Sequence, residues 1–335
     1  MKPSDTQPLL EKLLAERILV IDGAMGTMIQ QLGLSEEDFR GERFRDHPQD
    51  LKGDNDLLSL TQPAVIEGIH RAFLDAGADV IETNTFNSTR VSQADYRLED
   101  HVYEINLAAA QLAAKVAREV TAEDSARPRF VAGSMGPTSK TLSMSRDVEH
   151  PERRDVTFVQ MKDAYAEQAR GLIDGGADIL LPETTFDTLN LKAAIFAIEE
   201  VFQEKGVRLP VILSVTFTQA GSNRTLSGQT LEAFWISVAH ARPLAVAINC
   251  AVGATEMRPY VEELSTIAPV FTACYPNAGL PNAMGEFDER PEDTAAILGD
   301  FAARGWVNLV GGCCGTTPDH IREIAAAVRG VAPRV

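Results

Sequence analysis

Positive charge is scarce in this sequence. Its 335 residues include 31 lysines and arginines against 48 aspartates and glutamates, which gives a formal net charge of −17 at pH 7. Nucleic acids and anionic membrane surfaces attract proteins through clustered Lys and Arg. The charge balance therefore argues against both as partners and is typical of an acidic, soluble protein.

Long hydrophobic runs are also missing. No apolar stretch approaches the roughly 20 residues that a membrane-spanning helix needs. The first residues are polar and include Pro3 and Pro8, unlike a signal peptide or a lipidation motif. The sequence therefore predicts a cytoplasmic protein with no membrane partner.

Cysteine and tryptophan are rare. Four cysteines in so long a chain are too few for a disulfide-based fold, so free thiols or metal ligands in a reducing compartment are predicted. Only two tryptophans leave little aromatic surface on which a sugar could stack.

What the sequence does contain is a large apolar fraction arranged as a repeat. Hydrophobic residues make up 44% of the chain, enough for the core of one large α/β domain or two ordinary ones. Short apolar runs alternate with segments of helical spacing. Residues 76–83 and 175–181 resemble each other closely, since each is a glycine helix stop followed directly by a buried strand. Eight strands are predicted, at residues 17–21, 78–83, 129–133, 179–181, 211–215, 245–249, 270–273 and 307–310.

This count and alternation predict an α/β fold of the (β/α)8 TIM barrel type. We expect a single domain over residues 1–335 with a core of about 18–328, an extra N-terminal helix at 6–16 and a long connection between the first two strands. A doubly wound open sheet is the alternative. It is weakened because the only glycine-rich turn, Asp22–Gly26, lacks the full dinucleotide-binding fingerprint. The irregular stretch at 35–59 is either disordered or covers a site.

In a barrel, the carboxyl ends of all strands meet at one face, where barrel enzymes build their sites. The residues at or just after predicted strand ends include Asp22, Glu82, Ser134, Glu183, Asn249, Cys250, Cys274, Cys313 and Cys314. Cys250 follows the sixth strand, and Cys313 and Cys314 follow the eighth, so three sulfurs are expected to approach one point. Three thiolates with an open fourth position are typical of a catalytic zinc site.

Simpler interpretations of these residues remain open. The adjacent cysteines also suit a vicinal disulfide or a plain tight turn, and Cys274 is predicted to be a small buried hydrophobe. Asp22 and Glu183 suit a structural role at the barrel mouth as well as a functional one. Glu82 is predicted to order loops and not to contact a substrate.

Five stretches together resemble a known family. They are DGAMGT at 22–27, ETNTF at 82–86, GSMGPT at 133–138, NC at 249–250 and GGCCG at 311–315. They are similar to the zinc-dependent homocysteine S-methyltransferases, and the resemblance runs from about Ile18 to Val328. Three further stretches, at 39–44, 51–56 and 275–282, resemble the N-terminal homocysteine-binding module of cobalamin-dependent methionine synthase.

The resemblance implies a zinc site. Cys250, Cys313 and Cys314 would hold Zn²⁺, and the homocysteine thiol would become the fourth ligand. Asn277 or a water would occupy that position without substrate. A free thiol has a pKa of about 8.5 and is mostly protonated at neutral pH, whereas a zinc-bound thiol loses its proton and becomes a nucleophile.

The resemblance also implies how the rest of homocysteine is held. Asp22 and Glu183 would bind its α-ammonium group, and backbone N–H groups near Gly23, Ala24 and Ser134 would bind its carboxylate. The immediate methyl donor would be methylcobalamin. The folate-binding and cobalamin-binding modules that recharge it would be partners outside this chain.

Three alternatives to this function follow from the same residues. The first is a stand-alone homocysteine methyltransferase that uses S-methylmethionine or betaine as methyl donor. The second is a barrel glycoside hydrolase with Glu82 and Glu183 as paired carboxylates. The third is a zinc-stabilised binding scaffold, in which Cys274 would close the metal site as a fourth ligand.

Overall fold

The computed structural model describes residues 3–145, 147–218, 221–282 and 287–335. Its strands are β1 (Leu19–Val20), β2 (Val80–Glu82), β3 (Phe130–Met135), β4 (Ile179–Pro182), β5 (Ile212–Val215), β6 (Ala245–Gly253), β7 (Phe271–Asn277) and β8 (Leu309–Val310). All ladders between them are parallel, in the orders β1-β8-β7-β6-β5 and β2-β3-β4. Parallel bridges between Ile21 and Val80 and between Leu180 and Val211 join the two groups into a closed ring.

One helix precedes the first strand, and the other α-helices lie in the connections that follow the strands. They are α1 (Pro3–Glu16), α2 (Met25–Gln31), α3 (Glu36–Arg40), α4 (Leu58–Thr61), α5 (Pro63–Ala76), α6 (Arg90–Gln93), α7 (Val102–Glu123), α8 (Phe158–Gly175), α9 (Thr188–Lys205), α10 (Leu231–Val238), α11 (Ala254–Ile267), α12 (Pro291–Ala303) and α13 (Pro318–Val328). The predicted (β/α)8 barrel is confirmed. The open doubly wound sheet is wrong, because the strands close on themselves. No helix in the described ranges has the length and apolarity needed to cross a membrane.

Side chains alternate between two cores. In β7, Ala273 and Tyr275 belong to the core inside the barrel, whereas Cys274 belongs to the core between strands and helices. The prediction that Cys274 is a small buried hydrophobe is confirmed, since it is fully buried and its sulfur lies 3.7 Å from the sulfur of Met257.

The N-terminal helix α1 closes the bottom of the barrel. Leu10 and Leu14 are four residues apart, so they lie on the same face of the helix. Both are buried in the core inside the barrel, together with Leu19 of β1 and Phe130 of β3. The bottom is therefore a packed plug, which leaves the carboxyl ends of the strands as the open face.

The two similar segments at 76–83 and 175–181 each contain an aspartate, and the two aspartates have the same structural role. The carboxylate of Asp79 accepts the backbone N–H of Val20 at 3.0 Å, and that of Asp178 accepts the N–H of Val131, also at 3.0 Å. Each aspartate thus joins the start of its own strand to the preceding strand. Asp79 is also paired with Arg17 and Arg127, so this buried charge is neutralised.

The structure extends three predicted strands by two or more residues towards the open face. β3 continues to Met135, β6 to Gly253 and β7 to Asn277, so several residues predicted to follow strands lie inside them.

The connection at 35–59 is ordered by hydrogen bonds. The Arg40 guanidinium donates to the backbone oxygens of His47 and Gln49. Glu36 accepts the N–H groups of Leu51 and Lys52.

Candidate functional site

Three sulfurs meet at the open face of the barrel. The Sγ atoms of Cys250, Cys313 and Cys314 all lie within 4.8 Å of one another, and those of Cys250 and Cys314 are 3.8 Å apart. All three cysteines are half-buried free thiols, so the vicinal disulfide is wrong. Cys274 lies apart from this cluster, so the scaffold in which it closes a metal site is also wrong.

An irregularity in β6 turns Cys250 towards the cavity. The register between β6 and β7 shifts between Asn249 and Gly253. Within this bulge, Cys250 and Ala251 have φ angles of 61° and 65°, in the left-handed region that non-glycine residues rarely adopt. Such strain persists where surrounding contacts fix the backbone, which is common at functional sites.

The turn after β8 presents the other two sulfurs. A Cβ at Gly312 would lie 2.4 Å from Thr316 Oγ1, so only glycine permits this close approach. The N–H of Cys313 donates to Pro276 O at 2.7 Å, and Cys314 O accepts the N–H of Ala278 at 2.9 Å. The end of β7 therefore fixes the positions of both cysteines.

The thiols strongly affect one another. Hydrogen bonding to Cys250 and Cys314, together with burial, holds the pKa of Cys313 well above its ordinary value. For Cys250, the hydrogen bond with Cys313 lowers the pKa, but donation to Cys314 and burial raise it to about 12. Hydrogen bonds from Cys250 and Cys313 lower the pKa of Cys314 to about 3. Three thiolates this close repel one another, so a cation is needed to make all three thiolates together.

Asn277 has the chemistry predicted for a fourth ligand. It pairs with Gly253 at the end of the β6 bulge and is 3% exposed. Its Oδ1 is buried without a hydrogen-bond partner in the described structure. Because buried oxygens are normally satisfied, this unpartnered acceptor suits a ligand to a cation. The next residue, Ala278, donates its N–H to Cys314 O, and the role of Asn277 as a ligand stays a prediction. The donor set of three sulfurs and one oxygen fits zinc.

Asn249 holds the neighbouring strands together beneath the sulfurs. Its Oδ1 accepts the Thr184 N–H at 3.1 Å and the Ser214 hydroxyl at 2.6 Å. Its Nδ2 donates to Thr184 Oγ1 at 2.8 Å and approaches Glu183 Oε2 at 3.4 Å and Cys313 Sγ at 4.0 Å. Groups that orient metal ligands in this way tune the affinity for the metal.

We expect Asn249→Ala to weaken zinc binding roughly 10- to 100-fold. The alanine removes the donor near Cys313 and frees the β6 bulge. Competition with a chromophoric chelator measures the affinity. Asn190→Ala is the matched control, because Asn190 is equally buried and makes several hydrogen bonds but lies away from the sulfurs. Equal zinc affinities in the two folded variants would contradict the assignment.

Acidic side chains gather beside the sulfurs. Asp22 Oδ2 accepts the backbone N–H of Glu82 at 3.1 Å, and Glu183 accepts a hydrogen bond from the Ser134 hydroxyl. Asp22, Ser134 and Glu183 are buried, and Glu82 is half-buried. The carboxyls of Glu82 and Glu183 hydrogen-bond each other. Glu82 therefore faces the cavity, whereas the sequence predicted a role in ordering loops.

These acids destabilise one another's charged forms. Burial, with repulsion from Glu183, holds the pKa of Asp22 well above its ordinary value. Burial and repulsion from Glu183 and Asp22 do the same for Glu82. Burial raises the pKa of Glu183 to about 7, even though hydrogen bonds from Ser134 and Glu82 lower it. A positively charged ligand would relieve this repulsion.

The N–H groups of Ala24 and Ser134, which were predicted to donate to the substrate carboxylate, already make hydrogen bonds within the protein. The Ala24 N–H donates to Thr316 Oγ1 at 3.3 Å, and the Ser134 N–H donates to Thr83 Oγ1 at 3.0 Å. Binding a substrate carboxylate through either group means sharing or replacing these bonds. Gly23 lines the same cavity, and its role as a donor stays a prediction.

The three cysteines, the acids, Ala24 and Ser134 line one cavity of about 700 Å³. It is walled by the three cysteines, by Asp22, Glu82 and Glu183, and by the connection between β1 and β2. That connection contributes Phe39, Asn55 and Asp56. It is tied down where Asp56 accepts the Asn87 N–H at 2.6 Å. The prediction that this stretch covers a site is confirmed.

The glycoside hydrolase alternative does not fit this geometry. Paired carboxylates of such enzymes stand about 5 Å or more apart, to accommodate a sugar between them. The hydrogen bond between Glu82 and Glu183 brings their carboxyls far closer.

Sequence reasoning left two site residues without a role. Asn249 was visible only as the neighbour of Cys250, and its contacts depend on β4 and β5 lying beside it. Tyr275 is 1% exposed and lines the cavity, with its hydroxyl buried and unpartnered in the described structure. Because side chains alternate along β7, Tyr275 points to the other face of the strand from Cys274. The sequence could have shown this only if the predicted strand had extended beyond Ala273.

Comparisons with known proteins identify the family and the fold of this chain. A family profile described as homocysteine S-methyltransferase matches residues 19–328. The crystal structure of the homocysteine methyltransferase MmuM from Escherichia coli in its metallated form has 23% sequence identity and a TM-score of 0.71, and the match covers 97% of this chain and 99% of that one. The oxidised form of MmuM gives a TM-score of 0.70 at the same identity and coverage. At this identity the likeness to MmuM shows the fold.

Proposed function

Because this chain belongs to the homocysteine S-methyltransferase family, we propose that it binds homocysteine and methylates the thiol to give methionine. The observation that carries the proposal is the meeting of three cysteine sulfurs with three carboxylates in one cavity. The sulfurs suit a metal that binds a thiol, and the carboxylates suit an ammonium group. Homocysteine carries both groups.

The residues of the chain divide the work. Cys250, Cys313 and Cys314 would hold zinc, with Asn277 Oδ1 as a fourth donor before substrate binds. Zinc in this position supplies a positive charge that lowers the pKa of the substrate thiol and favours the nucleophilic thiolate. Asp22 and Glu183 would bind the α-ammonium group, which orients the thiol towards the sulfurs.

A cobalt-substituted protein tests the thiol–metal contact. Co²⁺ replaces zinc in tetrahedral sulfur sites, and sulfur ligation gives a charge-transfer absorption. We expect this absorption to increase as homocysteine is titrated to one equivalent per chain, because a fourth thiolate joins three. Homoserine, which has a hydroxyl in place of the thiol, should cause no increase. No change with homocysteine would contradict the proposal.

For the methyl donor we propose methylcobalamin, presented in the cytoplasm by cobalamin-binding and folate-binding modules outside this chain. The support is the resemblance of stretches 39–44, 51–56 and 275–282 to the corresponding module of cobalamin-dependent methionine synthase. Each of these stretches contributes to the cavity wall, through Phe39, Lys52 and Tyr275 among others. A reducing compartment is consistent with free cysteines.

A small cationic donor is the second candidate, as in a stand-alone enzyme using S-methylmethionine or betaine. The cavity of about 700 Å³ has room for more than homocysteine. Its wall includes Phe39, Phe86, Phe287 and Tyr275 near the acidic residues. Aromatic faces and carboxylates together attract sulfonium and quaternary ammonium groups.

Donor competition distinguishes these candidates. Zinc-loaded protein is incubated with homocysteine and one donor at a time, and methionine is measured. We expect methionine from methylcobalamin, with loss of the methyl–cobalt absorption. Formation from S-methylmethionine or betaine alone would favour the second candidate. Formation from none of the three would contradict methyl transfer by this chain.

A further inference from the structure

The acidic residues beside the sulfurs have no cationic partner in the described structure. Asp22 and Glu183 are each 3% exposed, and neither they nor Glu82 form an ion pair with a described lysine or arginine. Asp79 shows the contrast, because its buried carboxylate is paired with two arginines. Buried carboxylates are normally paired, since isolated charges are costly to bury. These three acids therefore lack a positively charged partner in the described structure.

Of the three acids, Glu82 has the most unused acceptor capacity. Glu183 already accepts from the Ser134 hydroxyl and lies within 3.4 Å of the Asn249 amide. Asp22 Oδ2 accepts the Glu82 N–H. In the described structure, the Glu82 carboxyl contacts that of Glu183 and accepts no hydrogen bond from a backbone N–H, hydroxyl or amide group. Glu82 is also the least buried of the three and lines the cavity, so it is the acid most accessible to a ligand.

We propose that Glu82 is a third acceptor for the α-ammonium group, and that this makes the site selective for a primary amine. The inference rests on the proposed function, in which Asp22 and Glu183 bind the same group. A primary ammonium has three N–H donors. Asp22, Glu82 and Glu183 lie at or within two residues of the ends of β1, β2 and β4, and all three line the same cavity. Each carboxylate would accept one N–H.

This arrangement determines which thiols bind. A thiol without the amino group leaves all three acids without a counter-charge, and sites of this kind reject such analogues strongly. An N-methylated amino acid keeps the charge but offers one N–H fewer and adds a methyl group where a carboxylate would stand. Both analogues should therefore bind more weakly than homocysteine.

The test compares homocysteine, its N-methyl derivative and 4-mercaptobutanoate, which is homocysteine without the amino group. Binding to zinc-loaded protein is measured by calorimetry at constant pH. Glu82→Gln keeps the size and one oxygen of the side chain but removes its charge. We expect this variant to bind homocysteine about tenfold more weakly, with unchanged zinc content and little loss of 4-mercaptobutanoate affinity. The preference for homocysteine over both analogues should shrink.

Asp56→Asn is the matched control, because Asp56 lines the same cavity but already accepts from Asn87 and Ser88. It should keep the wild-type preference for homocysteine over the analogues. An unchanged preference in Glu82→Gln would overturn the inference while leaving homocysteine binding intact. If that variant does not fold, equal binding of homocysteine and its N-methyl derivative by the wild type would overturn it instead. Failure of the wild type to bind any of these thiols would overturn the proposed function itself.

Discussion

Cys314→Ser is expected to reduce bound zinc from about one ion per chain to nearly none, and to abolish methionine formation. A serine hydroxyl is far less acidic than a thiol and is a poor zinc ligand, so two sulfurs would remain where three are needed. Cys314 is also the thiol whose pKa is lowest in the cluster, at about 3. Metal analysis after dialysis against a weak chelator measures the loss, and thermal unfolding confirms that the variant is folded.

Cys274→Ser is the matched control for this experiment. Its sulfur is fully buried between strand and helix and contacts Met257, away from the cluster. The substitution buries a hydroxyl in an apolar site and is expected to lower stability, yet zinc content should stay near that of the wild type. Retention of zinc by Cys314→Ser, or its loss from folded Cys274→Ser, would refute the assignment of the ligands.

Asp22→Asn is expected to weaken homocysteine binding roughly 10- to 150-fold, the range that corresponds to losing a hydrogen bond to a charged group. The asparagine oxygen can still accept the Glu82 N–H that Asp22 accepts at 3.1 Å, so the junction of β1 and β2 should survive. Zinc content should not change, because Asp22 is not one of the proposed zinc ligands. The dissociation constant, measured by calorimetry, checks the effect.

Homocysteine binding should also depend on pH, because an acid must be charged to pair with the ammonium group. The acids of the site have raised pKa values, to about 7 for Glu183. Below that pH Glu183 is protonated and cannot pair with an ammonium group, so homocysteine affinity should fall as the pH drops from 8 to 6. The control ligand for Asp22→Asn is 4-mercaptobutanoate. It has no ammonium group, so its affinity should change much less in this variant. Equal losses for the two thiols would contradict ammonium binding by Asp22.

Much of the fold was predictable because its signals are local. Each strand of the barrel is a short buried run, and the helix stops at Gly77 and Gly176 have φ angles of 114° and 97°, which favour glycine. The repeated aspartates after them, Asp79 and Asp178, bond to the preceding strand. These features depend on a few neighbouring residues, so the sequence carries them directly.

The sequence alone also determined that Cys250 follows the sixth strand and that Cys313 and Cys314 follow the eighth, which predicted that their sulfurs meet. It left Cys274 open as a buried hydrophobe or a fourth ligand, and the structure decided this by placing Cys274 in the core between strands and helices. The tertiary structure decided how the site is assembled. The left-handed conformation of Cys250, the contacts of Asn249 and the pairing of Glu82 with Glu183 all depend on which strands are neighbours in the closed ring. Side-chain contacts across a barrel are set by register and bulges between segments far apart in the chain, and a local pattern contains no record of that register.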